Sequence, residues 1–193
     1  MANAVLECIK TRRSIRRFKP GQITEEETRL LLEAAAWAPS GGNNQSWLFT
    51  AIRSPELLAR LNETLRRTFL TWTPDDDYSS KRKAKINAEK ENFNYFYHAP
   101  TLVVASNLPD YQNAMADCSC AMQNLFLAAH SLGLGTCWIN QPRWLRDEPA
   151  VRDVLAEAGI PREHVICSAA AVGYPDQNPP APARKKGTGV IVD

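Results

Sequence analysis

Long apolar runs and an excess of charge of either sign are both missing from this sequence. No apolar run approaches the roughly 18 residues that span a bilayer, and residues 1–8 lack the apolar core of a signal peptide. The 23 Lys and Arg residues are balanced by 21 Asp and Glu, and the net charge of +2 is too small to indicate nucleic acid or membrane binding. With 44% apolar and 23% charged residues, the 193 residues predict one globular domain (1–193) and not a disordered chain.

Cysteine and histidine are also few and scattered. The five cysteines are an odd number without a secretion signal, which is typical of reduced thiols in a cytoplasm. Cys118 and Cys120 lie two residues apart on a predicted helix, point about 200° from each other and so do not form a metal pair. The three histidines have no ligand spacing. We therefore expect a cytoplasmic protein without a bound metal.

Hydrophobic periodicity predicts helices mixed with short strands. The helices are predicted at 3–12, 24–38, 55–69, 113–132 and 146–158, and the strands at 47–52, 101–105, 136–139 and 165–172. The second helix starts at Thr24, where Glu27 can complete a capping box. The helix at 113–132 is apolar on most faces, which indicates either a central core helix or part of a dimer interface. This order favours a compact α+β domain over an alternating βαβ array.

Two segments differ in composition from the rest. Residues 71–94 are polar and charged and lack core residues, so they predict a surface lid or insertion that extends to about residue 98. From Gly173 onward prolines favour an extended C-terminal arm at about 174–193. The arm ends in the apolar residues Val190, Ile191 and Val192, which would prefer a partner, so we expect it to dock; the alternative is a frayed tail.

Four arginines are clustered in residues 12–17. In an extended chain Arg12, Ser14 and Arg16 share one face, and in a helix Arg12 and Arg16 still would. Guanidinium groups suit phosphate oxygens and carbonyl acceptors, and a bound anion would relieve their mutual repulsion. The cluster therefore indicates a small phosphorylated ligand, a solvated basic face or a nucleic-acid patch.

Residues 39–47 form a loop that is rich in glycine and polar side chains. Its two glycines expose backbone N–H groups and allow positive φ. Further hydrogen-bond donors and acceptors come from the side chains of Ser40, Asn43, Asn44 and Gln45. A plain turn needs only one or two such residues, whereas this loop has four. The loop could bind a polar heterocycle or a sugar chain, or it is simply a turn.

Two later segments are less specific. The glycines of residues 133–140 are not a dinucleotide fingerprint, because they follow a helix and Trp138 stands where the third glycine is needed. Trp138 could pack against a flat cofactor or in the core. The cations at 184–186 could complete a phosphate site or belong to a solvated tail. No nucleophile elbow and no P-loop occur in the sequence.

In order and spacing, these segments resemble the nitroreductase family of FMN-dependent oxidoreductases. The resemblance is carried by residues 12–18 and 38–47, with support from residues 132–136 and 173–175 and from the basic arm, and it covers nearly the whole chain. It implies a nitroreductase-like α+β fold with a central, mainly antiparallel sheet flanked by helices. It also implies a homodimer with one FMN in each of two sites built from both subunits.

The resemblance implies a role for each matching residue. Arg12 resembles the residue that binds the FMN phosphate in the family. Ser14 and Arg16 resemble the residues that contact the ribityl chain and the pyrimidine edge. Arg184 and Lys186 are similar to phosphate partners in the tail. The full set of implied cofactor-binding residues is Arg12, Arg13, Ser14, Arg16, Pro39, Ser40, Gly41, Asn43, Gln45, Asn92, Trp138, Ile139, Asn140, Arg184 and Lys186.

Within that set, the loop at 39–45 is implied to reach the flavin from the neighbouring subunit. Residues 138–140 would lie beside the reactive ring, and Asn92 would contact the flavin carbonyls. The chain departs from many relatives at Ser46, at Tyr95 and at Asn140, where they have proline, lysine and glutamate respectively. These departures affect substrate preference and the hydrogen bond near flavin N5.

The implied activity is electron transfer from NAD(P)H through FMN to a small oxidised acceptor, such as a nitroaromatic or a quinone, in a ping-pong cycle. Flavin carries this chemistry, so no protein acid or nucleophile is required. The alternatives are a non-catalytic flavin-binding protein and, less favoured by the near-zero net charge, a basic nucleic-acid-binding module.

Overall fold

A computed structural model describes residues 3–73, 78–185 and 187–192. The helices are α1 (Ala4–Thr11), α2 (Glu25–Ala36), α3 (Pro55–Thr71), α4 (Ser79–Ala88), α5 (Ala114–Ser131), α6 (Gln141–Trp144) and α7 (Pro149–Glu157). The strands are β1 (Leu48–Ile52), β2 (Thr101–Asn107), β3 (Gly135–Ile139) and β4 (Val165–Gly173). No helix in these described ranges combines the length and apolarity that crossing a membrane requires.

The four strands form one antiparallel sheet in the order β1-β2-β4-β3. The central strands β2 and β4 are buried along almost their whole length because both faces of the sheet are covered. Alternate residues enter different cores: Val104 packs with α3 and α7 on one face, and Val103 packs with α2 and α5 on the other. The predicted α+β class with a central antiparallel sheet flanked by helices is confirmed.

Helix α5 packs across the sheet as the core helix of one face. Its buried residues recur every three or four positions, from Ala114 through Cys118 and Leu125 to Ala129, while Cys120 and Gln123 are exposed. The buried residues therefore form one stripe, while apolar residues on the other side of the helix, such as Ala116 and Leu127, are exposed or half-buried in the single chain. Helix α5 is therefore a core helix, and its part in a dimer interface stays a prediction.

The capping box predicted for α2 is confirmed and connects this helix to the beginning of the arm. Glu27 N donates to Thr24 Oγ1 at 3.0 Å, and Thr24 N donates to Glu27 Oε2 at 2.7 Å. Tyr174 donates its hydroxyl to the same carboxylate at 2.8 Å. These hydrogen bonds, led by the one from the Thr24 backbone, lower the pKa of Glu27. The start of the arm is thus attached to the body of the domain.

Two local predictions are wrong. The polar segment 71–94 is predicted to lack core residues, but α4 buries Ala84 and Ala88, and Tyr95 donates its buried hydroxyl to Ala84 O at 2.8 Å; the lid or insertion in this region stays a prediction. The helix predicted from residue 146 begins instead at Pro149, whose fixed φ and missing N–H suit the first helical position. Residues 74–77 of the predicted lid and Lys186 lie outside the described residues.

Candidate functional site

The arginine-rich segment, residues 12–18, leaves α1 and runs alongside β3. Ser14 forms a parallel bridge with Thr136, and Ile15 N donates to Thr136 O at 2.8 Å. Ile15 is buried, whereas Arg16 is exposed. The segment is therefore extended, as one of the two predicted alternatives requires, and its backbone is fixed to the sheet.

The close approach of this segment to β3 depends on Gly135. A Cβ added there would lie 2.9 Å from three side-chain carbons of Ile15, closer than real Cβ atoms come. Gly135→Ala is therefore expected to destabilise the fold by roughly 1–3 kcal/mol through overpacking. Thermal unfolding measures the loss. Gly21→Ala is the matched control, because its Cβ would meet only Tyr174 at an ordinary 4.0 Å; equal stability of both variants would contradict the prediction.

The C-terminal arm lies against the same segment. Lys19 N donates to Tyr174 O and Asp176 N donates to Arg17 O, both at 2.9 Å. Arg17 Nε also lies 3.0 Å from the Asp176 carboxylate. These contacts direct the chain after Asp176 back across the arginines.

A cavity of about 320 Å³ lies between the arginine-rich segment and the arm. Its lining residues are Arg12, Arg13, Ser14, Arg16, Pro179, Pro180, Pro182 and Arg184. The structure thus brings five of the predicted site residues together from opposite ends of the chain. We call this space the arginine cavity.

The arginine cavity concentrates positive charge without a compensating carboxylate. Among the described residues, no ion pair involves Arg12, Arg13 or Arg184. Burial lowers the pKa of Arg12, and the charges of Arg13 and Arg184 lower it further. A bound anion would offset this repulsion and would find guanidinium donors on both sides of the cavity.

Three side chains that the sequence analysis missed lie beside Arg12 and Arg16. The Arg12 guanidinium lies 5.8 Å from the ring centroid of Phe126, and that of Arg16 lies 6.0 Å from Tyr97. Cys137 is buried beside them, and burial raises its pKa against the opposing effect of Arg16 and Arg12. Phe126 could have been found from its place on the apolar stripe of α5, but Tyr97 carries no such signal.

The predicted strand end at residues 138–140 has its side chains on both faces of the sheet. Ile139 is buried in the core, so only its backbone can contact a ligand. Trp138 packs edge-on against Phe126 at 6.1 Å and donates its Nε1–H to Asn140 Oδ1 at 2.8 Å. Trp138 packs in the core but is only half-buried. Its position is therefore compatible with both predictions, packing in the core and packing against a flat cofactor.

The loop at residues 39–45 contains three residues with left-handed backbone, namely Gly42, Asn43 and Gln45. Its side chains bond within the loop: Gln45 Nε2 donates to Asn43 Oδ1 at 2.9 Å, and Gln45 N donates to Ser40 Oγ at 3.2 Å. Pro39 and the residues from 42 to 45 are exposed. The loop is thus ordered by its own contacts and presents polar groups outward.

Gly41 attaches this loop to the first turn of α5. Its N–H donates to the buried carboxylate of Asp117, 3.1 Å from Oδ2, and Tyr111 donates its hydroxyl to the same oxygen at 2.6 Å. Asp117 was missed by the sequence analysis, although a carboxylate within the apolar stripe of α5 is a recognisable signal.

The loop and the arginine cavity lie near opposite ends of α5 in one chain. The loop contacts Asp117, whereas Thr11, directly before the arginines, hydrogen-bonds His130 at 2.8 Å. These two residues of α5 are thirteen positions apart, which corresponds to about 20 Å along the helix axis. Within one chain, the loop therefore does not line the arginine cavity.

Asn92 lies in a different place from the other predicted residues. It is exposed, has positive φ and lines a separate cavity of about 520 Å³ with Asn62, Arg66 and His98. Its contact with a cofactor stays a prediction.

Comparison with known proteins identifies the family to which this chain belongs. The Nitroreductase family model matches residues 9–174, and the chain belongs to this family. A nitroreductase of Bacteroides fragilis, solved with bound FMN, is 39% identical with a TM-score of 0.91, and a second from Desulfitobacterium hafniense, also with bound FMN, is 25% identical with a TM-score of 0.85. Both comparisons cover 100% of both chains. The nitroreductase-like fold is thereby confirmed.

A relative from Archaeoglobus fulgidus is 34% identical over 173 residues, which are 88% of this chain and 86% of that protein. It is named "Putative NADH dehydrogenase/NAD(P)H nitroreductase". Its name describes an oxidoreductase that uses a nicotinamide donor.

Proposed function

We propose that this protein is an FMN-dependent oxidoreductase that passes electrons from NAD(P)H to a small oxidised acceptor such as a nitroaromatic or a quinone. The observation that carries the proposal is the arginine cavity, where cations from both ends of the chain converge without a carboxylate partner among the described residues. FMN is bound in two solved structures of the same fold, which supports FMN as the occupant proposed for this cavity.

The residues present fit the cofactor. Arg12, Arg13 and Arg184 would hold the phosphate, whose charge offsets the repulsion that lowers the pKa of Arg12. The Ser14 hydroxyl would meet the ribityl chain, and Arg16 would stabilise negative charge at the pyrimidine edge. When bound, FMN supplies the two-electron redox chemistry, and the chain's own residues hold and orient it.

We also propose that the complete site needs two chains. The loop at residues 39–45 presents its polar groups about 20 Å along α5 from the residues beside the arginine cavity, so it would serve the cavity of a second subunit. Apolar side chains exposed on α1, Val5, Leu6 and Ile9, together with Trp37 at 78% exposure, would be covered in such a dimer.

Donor and acceptor would use one exposed face of the flavin in turn, which gives ping-pong kinetics. A family relative named for an NAD(P)H activity supports the donor class. Tyr97 and Cys137, which lie beside Arg16, have raised pKa values because they are buried. Both are therefore protonated at neutral pH and would shape the site without acting as bases.

The first test is the visible spectrum of the freshly purified protein. We expect a yellow preparation with flavin absorbance, or an apoprotein that regains this spectrum when FMN is added. A protein that is colourless and does not bind added FMN would contradict the proposal.

Turnover separates an enzyme from a flavin-binding protein without activity. We expect the flavin-loaded protein to oxidise NADH or NADPH in the presence of menadione, with parallel double-reciprocal plots as ping-pong kinetics require. Flavin binding without turnover would leave a storage or sensor protein. Strong, salt-sensitive binding to any DNA duplex would instead support the nucleic-acid alternative.

A further inference from the structure

A second cavity of about 420 Å³ lies beside Asn140, at the end of β3, and is distinct from the arginine cavity. One wall is formed by α6 and the residues after it, with Arg143, Trp144 and Arg146. The opposite wall is the beginning of α4, where Tyr78 and Lys81 line the space. We call it the α6 cavity.

Arg143 brings to the α6 cavity a positive charge that has no partner in the described part of the chain. Arg143 forms no ion pair or side-chain hydrogen bond within the described part of the chain, in contrast to Arg152, whose guanidinium bonds backbone carbonyls. Arg146 lies 3.6 Å from Asp147, whose side chain is 91% exposed. Among the residues that the structure describes, one solvated carboxylate therefore balances only one of these two guanidinium groups, and such a pair contributes little.

The same cavity presents aromatic surface next to its cations. Trp144 and Tyr78 are arranged edge to face, with ring centroids 6.1 Å apart. Tyr78 is exposed and Trp144 is half-buried, so part of both rings faces the opening. Guanidinium forks beside flat rings suit a planar ligand that carries a carboxylate or a phosphate.

The position of Asn140 connects this cavity to the proposed chemistry. Asn140 lines the α6 cavity and is held by the hydrogen bond from Trp138. Residues 138–140 are also those predicted to lie beside the reactive flavin ring. A substrate whose reacting group is at that ring can therefore extend its charged end into the α6 cavity.

We propose that the α6 cavity binds the anionic group of an aromatic substrate and that Arg143 makes the protein prefer such substrates over uncharged analogues. The inference rests on the proposed function, because it places the reacting end of that substrate at the flavin. The shared chemistry is an oxyanion on a planar molecule, which either an acceptor with a carboxylate or the 2′-phosphate of NADPH could supply.

The test compares matched pairs of ligands on the full-length, flavin-loaded protein. 4-Nitrobenzoate is paired with 4-nitrobenzyl alcohol, and NADPH is paired with NADH, so that each pair differs in one anionic group. Both kcat/KM and equilibrium binding by calorimetry are measured, the latter with NADP and NAD for the nucleotide pair. The variants are Arg143→Gln and the control Arg162→Gln, which removes an exposed cation paired with Asp153.

Arg143→Gln is expected to lower the preference for the anionic member of one pair roughly tenfold, the low end for a lost charge-assisted hydrogen bond at an open site. The pair affected identifies the source of the anion. Arg162→Gln should leave both preferences unchanged. Preferences that stay within twofold in both pairs, or that fall equally in the two variants, would overturn the inference.

The binding measurement keeps the two proposals separate. Binding that prefers the anionic ligand and depends on Arg143, without turnover of any donor and acceptor, would support the α6 cavity and refute the proposed function. Turnover with menadione, combined with ligand preferences that do not depend on Arg143, would support the proposed function and refute the α6 cavity as an anion site.

Discussion

Arg12→Ala is expected to weaken FMN binding about ten- to a hundredfold and to leave riboflavin affinity nearly unchanged. Arg12 is half-buried in the arginine cavity, where it would donate to the phosphate. A hydrogen bond to a charged group contributes roughly 1.5–3 kcal/mol, which corresponds to this change in affinity. Riboflavin lacks the phosphate and so loses nothing. Titration of the apoprotein with each flavin, followed by quenching of flavin fluorescence, measures both affinities.

A matched variant separates this effect from a general loss of positive charge. Lys19 is an exposed cation one residue beyond the arginine-rich segment and does not line the cavity. Lys19→Ala should therefore change FMN affinity by less than about twofold, because exposed charges are screened by salt. If Arg12→Ala weakened FMN and riboflavin equally, the change would have damaged the fold, and Arg12 would not be the phosphate ligand.

Removal of the arm after Gln177 is expected to weaken the dimer and to release FMN. Arg184 would be lost, and with it one wall of the arginine cavity. The apolar end of the arm would also be lost; Val190, Ile191 and Val192 are 86%, 90% and 89% exposed in the single chain. Full burial of such side chains against a partner stabilises by about 1.5–3 kcal/mol each, and the prolines of the arm reduce the entropy cost of ordering it.

The position of this truncation preserves the domain itself. Tyr174 and Asp176, which bond α2 and the arginine-rich segment, remain in the shortened chain. Sedimentation velocity over a dilution series measures the dimer, and the flavin absorbance of the same samples measures retention. The full-length variant Arg184→Ala should lose FMN affinity but keep the dimer. If the shortened protein stays dimeric and retains its flavin on dilution, the arm is only a tail, and Arg184 and Lys186 are not part of the site.

Much of the fold and part of the site could be predicted because the signals are local. A threonine followed by Glu27 determines the start of α2, and short apolar runs mark the strands β2 and β4. The arginine-rich segment could be singled out as a candidate anion site because its charge is concentrated in a few consecutive residues, and its ligand stays a prediction. In these cases, the sequence neighbours are also the spatial neighbours.

The rest could not be predicted because it depends on contacts between distant residues or on weak patterns. Helix α4 buries only alanines, which give a polar segment almost no hydrophobic periodicity. The meeting of Arg143 with Tyr78 in one cavity follows from how α4 and α6 pack and not from any motif. The separation of Asn92 from the arginine cavity likewise reflects the path of residues 88–98 around the domain.

The two walls of the arginine cavity have a consequence for the order of folding. One wall is made by residues 12–16 and the other by residues 179–184, so the two walls are more than 160 residues apart along the chain. The cavity therefore forms only once these remote parts of the chain have met, and contacts of such large sequence separation form slowly because they close a long loop. A ligand that bridges both walls stabilises only the finished molecule, by mass action. A variant without either wall would keep the sheet, whose strands lie between residues 48 and 173, but would be unable to gain this stabilisation.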